Sequence, residues 1–181
     1  MVVSNRKLLF LLLAILVGAF LCLVIVRLVI APPARETQKV LPVVPTPPKN
    51  YKFIEVREIK ITLEIPKTEV KTGRAISIKL ILENIGDAPK KLSFSSGQKF
   101  DVVVDDFREK EIWRWSADKV FTMMLQEDVF GPGQREVYAV SWNQRDLQGR
   151  LVPVGEYRIK GESMARELRG SVVALDLKIT D

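Results

Sequence analysis

Ser116 stands three residues before Lys119, the S-x-x-K spacing with which serine–lysine acyl enzymes place an amine beside a nucleophilic hydroxyl. Those enzymes combine it with further elements, S-D-N among them, which the chain lacks. The plainer expectation is a short helical turn over Ser116–Leu125, capped by Ser116, with Asp118 in its first turn and Lys119 on the surface. Just upstream, Asp105, Asp106, Glu109 and Glu111 cluster as calcium ligands would. Calcium loops set their acids at fixed offsets around a required glycine, and none lies in this stretch, so a solvated hairpin tip is expected. Neither phosphate-cradling pattern, G-x-x-x-x-G-K-S/T or G-x-G-x-x-G, occurs. There is no histidine, and the single cysteine, Cys22, lies in an apolar run. His-based triads, the usual zinc sites and an intrachain disulfide are thereby removed. The expectation is a protein that is not an enzyme, with no catalytic residue, cofactor or metal.

Charge divides unevenly along the 181 residues. Residues 1–50 carry Arg6, Lys7, Arg27, Arg35, Lys39 and Lys49 against Glu36, a net +5 of the formal +6. The remainder is close to neutral, so the basic character belongs to the N-terminal end. A nucleic-acid partner is not expected, because that would need the cations gathered on the folded part.

The N-terminal end reads as a membrane element. After a short cytoplasmic end, 1–7, residues 8–26 form an unbroken apolar run of 19, which Leu28–Ala31 can extend past Arg27. At about 1.5 Å per residue this approaches the ~30 Å hydrocarbon thickness. Arg6 and Lys7 favour a cytoplasmic N-terminus, giving a single-pass anchor over 8–30 with the C-terminal part outside the cell membrane. A cleaved signal peptide is the alternative. Its apolar region is usually shorter, about 7–15 residues, and the prolines of Ala31–Ala34 make a poor cleavage site. Residues 31–50 hold six of the ten prolines and read as a linker, either an extended polyproline-like stalk or a disordered spacer.

From Tyr51 to Asp181 the pattern becomes period two. Ile59, Ile61, Leu63 and Ile65 alternate with polar residues, and Ile76, Ile78, Leu80 and Leu82 repeat the pattern. Further strands are expected at Lys91–Ser95, Lys99–Asp105, Glu111–Trp115, Arg135–Trp142, Gly155–Glu162 and Ser171–Thr180. Short strands with turn formers between them and no long helical pattern point to an all-β antiparallel sandwich. Phe100, Val102 and Val104 share one strand face. Trp113 and Trp115 are expected to close the core beside them, with Trp142 less certain because it ends a strand.

Several stretches then fall into a familiar order: an N-x-G turn at Asn84, S-G-Q-x-F-D at Ser96–Asp101, W-x-W-S at Trp113–Ser116 and P-G at Pro132. W-x-Q-x-D-x-x-G at Trp142–Gly149 and V-P-x-G-x-Y at Val152–Tyr157 follow. Over Thr72–Gly161 the chain resembles the BsuPI-type intracellular proteinase inhibitor domain. The resemblance implies an immunoglobulin-like sandwich and a protein partner, a serine protease at its strongest; it carries over no reactive residue.

The segment Arg145–Val154 has two readings of its own. It is a well-specified hairpin, with Asp146 to Gly149 as the turn, or a stiff protruding loop of the kind a protease inhibitor needs. Arg145, Asp146, Arg150, Leu151 and Pro153 are the candidate contacts. Arg150 suits a trypsin-like pocket and Leu151 a hydrophobic one; the sequence does not choose between them. Two functional classes stay open: a monomeric membrane-tethered domain for protein–protein interaction at the cell envelope, or an inhibitor of a serine protease.

Overall fold

The computed structural model describes residues 50–181. The expected cytoplasmic end 1–7, anchor 8–30 and all of the linker but Asn50 lie outside the described residues. Among the described residues, no helix is long and apolar enough to cross a membrane.

The domain is all-β. Its strands are β1 (Tyr51–Val56), β2 (Ile59–Glu64), β3 (Glu69–Lys71), β4 (Ile76–Asn84), β5 (Lys90–Phe94), β6 (Phe100–Asp106), β7 (Glu111–Arg114), β8 (Gln126–Phe130), β9 (Arg135–Trp142), β10 (Gly155–Ser163) and β11 (Val172–Thr180). One sheet runs β1-β2-β4-β9, a second β3-β11-β10-β6-β7, and β5 pairs with β8 apart from both. The pairs are antiparallel except β3 with β11, which is parallel from Lys178↔Glu69 to Thr180↔Lys71. The expectation of a purely antiparallel sandwich is corrected there: β3 is a three-residue edge strand inside what reads as a turn-rich break, "PKTEVKTG".

The period-two residues are the core. Ile59, Ile61 and Leu63 of β2 and Ile76, Ile78, Leu80 and Leu82 of β4 are buried from one side. Val102 and Val104 of β6, Ile159 of β10 and Val173, Leu175, Leu177 and Ile179 of β11 join them in one cluster. Gly161 of β10 faces β2 and β4 across the core. A Cβ there would lie 2.8 Å from Leu80 Cδ1 and 3.1 Å from Leu63 Cδ1. A larger residue there would require the ends of the Leu80 and Leu63 side chains to move.

Two expectations fail. No helix forms over Ser116–Leu125: turns at Trp115–Asp118 give way to a segment without regular structure. The Ser116 hydroxyl is drawn to Asp101 instead of capping a helix. The tryptophans also change rank. Trp142 is wholly buried, whereas Trp113 and Trp115 are partly buried and pack against the core from its margin. Trp142 ends β9, itself an edge strand, but its ring turns into the core against Trp113 and Tyr157. Trp113 lies on edge strand β7 and Trp115 just past its end, both at the margin of the core.

Candidate partner-binding loop

Trp142 couples the core to the candidate segment. Its ring lies 6.2 Å from Trp113 and meets Tyr157 edge-on at 5.9 Å. Its indole Nε1 donates 2.9 Å to the Arg145 carbonyl, so the first residue of the loop is tied to a fully buried side chain. Gln144, buried beside it with φ 59°, secures the approach. Its amide nitrogen donates to the Lys71 and Arg74 carbonyls at 2.9 and 2.8 Å, and its side-chain oxygen accepts from the Gly73 amide at 2.7 Å.

The loop itself is a closed hairpin. Arg145 bridges Leu151, flanked by Val152 N to Gln144 O and Asp146 N to Arg150 O, both 2.9 Å. Asp146 organises the turn from within: its Oδ1 accepts from the Gln148 and Arg150 amides at 2.9 Å each, and its Oδ2 from Arg150 Nε at 2.9 Å. Gly149 takes φ +77°, a left-handed conformation that a side chain would strain, and its amide returns to the Asp146 carbonyl. Burial pushes the Asp146 carboxyl up, but the Arg150 amide and guanidinium and the Gln148 amide outweigh it and hold it below the usual carboxylate range. Arg145 Nη1 donates 2.7 Å to the Gly149 carbonyl. At the far end the Tyr157 hydroxyl donates 2.5 Å to the Pro153 carbonyl. A further strut, Leu147 N to Ile112 O at 2.9 Å, joins the tip to β7.

The segment is the closed hairpin, with most of its candidate side chains on the outside. Asp146 faces inward; Arg145, Arg150, Leu151 and Pro153 are exposed. Arg150 is held by Asp146 and Gln148. Leu151 is 46% exposed and Val154 49%. Sequence reasoning left Val154, Leu147 and Phe107 off the list of contacts. Phe107, 72% exposed at the β6–β7 tip, faces the same end of the sandwich. Its signal was present, as the one apolar residue in the polar turn "DDFREK". That turn is a hairpin tip as expected, with Asp106 Oδ1 accepting from the Arg108 and Lys110 amides. Asp105 does not belong to it: it is buried and pairs with Lys160 at 2.5 Å. Among the described residues no group of three or more acidic or cysteine side chains is placed to hold a metal.

No curated protein matches the chain in sequence. Among solved structures, a β-glucosidase from Listeria innocua is 12% identical at a TM-score of 0.41, over 68% of this chain and 16% of that one. A DNA glycosylase from Pseudomonas fluorescens is 17% identical at 0.41, over 68% of this chain and 31% of that one. A CARDB domain from Pyrococcus furiosus is 17% identical at 0.38, over 70% of this chain and 98% of that one. The two enzymes are thus matched over less than a third of their length. The family model of the intracellular proteinase inhibitor matches residues 63–168, which takes in β3 to β10 and the whole Arg145–Val154 loop. The motif order that first suggested the resemblance and this match over more than half of the chain agree: the chain belongs to the BsuPI family of intracellular proteinase inhibitors.

Proposed function

We propose that the chain is a non-catalytic protein-binding module of the cell envelope. An uncleaved anchor over 8–30 holds it to the membrane, and an immunoglobulin-like sandwich outside the membrane binds a serine proteinase through the Arg145–Val154 loop and blocks it. The observation that carries this reading is the combination of exposure and fixation in that loop. Ordering a mobile loop on binding costs about 0.5–1.5 kcal/mol for each rotamer-rich side chain immobilised. Here Trp142, Gln144, Asp146 and Tyr157 have already fixed the backbone. The family's name supports a proteinase as the partner.

A second reading, binding without inhibition, is favoured by one specific feature. Arg150, the side chain suited to a trypsin-like pocket, is engaged by Asp146 through both Nε and Nη2. The turn also spends backbone groups on itself. A partner then meets the outside of a closed turn and does not thread an extended strand through its active site.

The test is co-elution on gel filtration of the full-length chain, in uncharged detergent, with subtilisin-like and trypsin-like proteinases whose catalytic serine is blocked. A one-to-one complex is expected, lost on combining Arg150→Gly with Leu151→Gly. Free elution of both components, or a complex indifferent to those substitutions, contradicts the loop assignment. The anchor is tested separately with spheroplasts. Added protease should remove a C-terminal tag and spare an N-terminal one; a mature protein beginning near Ala34 and free in the medium contradicts it.

A further inference from the structure

The exposed Phe107 ring stands between two cavities at the loop end of the sandwich. One, about 370 Å³, separates the β6–β7 tip from the Arg145–Val154 loop, and Ile112, Leu151, Val152 and Val154 give it an apolar wall. The other, about 480 Å³, lies on the far side, over Arg158 and Asp176. Asp106, Phe107, Glu156 and Tyr157 line both, so the two adjoin as one trough with Phe107 between them. Aromatic residues, Phe among them, are enriched in protein–protein interfaces, and cavities of this size are of the kind that receive a ligand group.

The charges of the trough do not cancel. The one cation of the smaller cavity, Arg150, is taken up by Asp146. In the larger one, Arg158 pairs with Asp176 and Glu109, and Lys178 lies opposite Glu156 in register without an ion pair to it. Among the described residues neither Asp106 nor Glu156 has an ion-pair partner. Asp106 is moreover fixed in place by the Arg108 and Lys110 amides. Its field reaches the floor of the trough: burial, and then the Asp106 charge, raise the Tyr157 phenol above its ordinary value.

We propose that this trough seats a segment of the partner protein in which an apolar side chain stands beside a lysine or arginine. The apolar side chain enters the smaller cavity against Ile112 and Leu151, and the cation answers Asp106 and Glu156. The inference rests on the loop-binding reading above and gives that partner its chemistry.

The probe is a pair of labelled, end-capped heptapeptides, Gly-Gly-Lys-Leu-Lys-Gly-Gly and the same peptide with glutamates for lysines. Binding to the full-length chain in uncharged detergent is followed by fluorescence anisotropy. The lysine peptide is expected to bind saturably and the glutamate peptide not at all. Phe107→Ala should weaken binding about tenfold or more, the size of loss that marks an anchor residue. Asp106→Asn with Glu156→Gln should weaken it and flatten its dependence on salt. Phe107 is exposed, so its variant should keep the melting temperature, which separates lost binding from lost folding. Equal binding of both peptides, no saturable binding up to millimolar peptide, or indifference to Phe107→Ala overturns the proposal. The same variants in the co-elution assay separate it from the reading on which it rests. A proteinase that co-elutes equally with wild type and Phe107→Ala removes the trough and keeps the loop. Peptide binding without any proteinase complex keeps the trough and removes the proteinase.

Discussion

The Ser116 hydroxyl donates a 2.6 Å hydrogen bond to Asp101 Oδ2, joining the last residue of W-x-W-S to the last residue of S-G-Q-x-F-D. Asp101 is buried and also accepts from its neighbour Val102 N at 2.9 Å and from Arg114 Nη1 at 2.8 Å. Lys119 is committed elsewhere, to Asp118 at 2.8 Å and over the Trp115 ring at 4.9 Å. Serine–lysine acyl enzymes also use a K-T-G triplet; one occurs here at Lys71–Gly73, but it starts on the last residue of β3, at the opposite edge of the sheet from β7 and Ser116. The S-x-x-K spacing therefore has a structural account: Ser116 fastens the end of edge strand β7 to β6.

Ser116→Ala should accordingly act on stability. Removing one hydrogen bond to a buried carboxylate costs about 1.5–3 kcal/mol. Urea denaturation of the domain measures this. An unchanged midpoint would mean that the contact contributes nothing and would reopen the question of what Ser116 does.

Trp142 should outrank the W-x-W pair. Trp142→Ala leaves a large cavity in the core and is expected to cost about 3–5 kcal/mol. It also frees the Arg145 carbonyl, so the loop should become sensitive to limited proteolysis near Arg145–Leu151. Trp113→Ala and Trp115→Ala should cost less, since both rings are only partly buried at the core margin. Trp115 packs at 4.1 Å on Phe100, which keeps its loss from being negligible. A larger loss for Trp115→Ala than for Trp142→Ala contradicts this ranking.

Acid should loosen the loop before it unfolds the sandwich. The folded Asp146 carboxyl titrates below its ordinary value, so its contribution is complete above that value and is lost as pH falls through the lower folded one. Glu167 follows the same sign. Burial raises it, but the Ser93 amide, which donates 2.9 Å to Glu167 Oε2, helps hold it below the usual range. In an NMR titration the Gln148 and Arg150 amide resonances should move together, with an apparent midpoint below the ordinary aspartate value of about 3.9. A midpoint at or above that value contradicts the turn geometry.

Most strands were legible because they bury one face. β2, β4, β9, β10 and β11 carry a period-two pattern, β6 shows it at Phe100, Val102 and Val104 although its other face is buried as well, and the expected strand Arg135–Trp142 coincides with β9. The three missed strands lack that signal for physical reasons. β1 is an edge strand with exposed Tyr51, Lys52 and Phe53; β3 has three residues; β8, "QEDVF", buries only Phe130 fully. The motifs that carried the family resemblance prove to be fastenings. Asn84 Nδ2 binds the Ala88 and Phe130 carbonyls, Gln144 binds the Lys71–Arg74 turn, and Asp146 closes its own hairpin. They identify the fold without marking where a partner sits. The contribution of Phe107 was hidden for another reason: only the tertiary fold brings the β6–β7 tip to the same end as the Arg145–Val154 loop.

The measurement closest to the central claim is a titration of proteinase activity. A fixed amount of an active subtilisin-like or trypsin-like serine proteinase receives increasing full-length chain, and residual peptidase activity is followed. The expected result is a loss of activity that ends at one chain per proteinase and disappears when Arg150→Gly and Leu151→Gly are combined. No loss at micromolar chain, together with rapid cleavage within Arg145–Val154 as in an ordinary substrate, would contradict it.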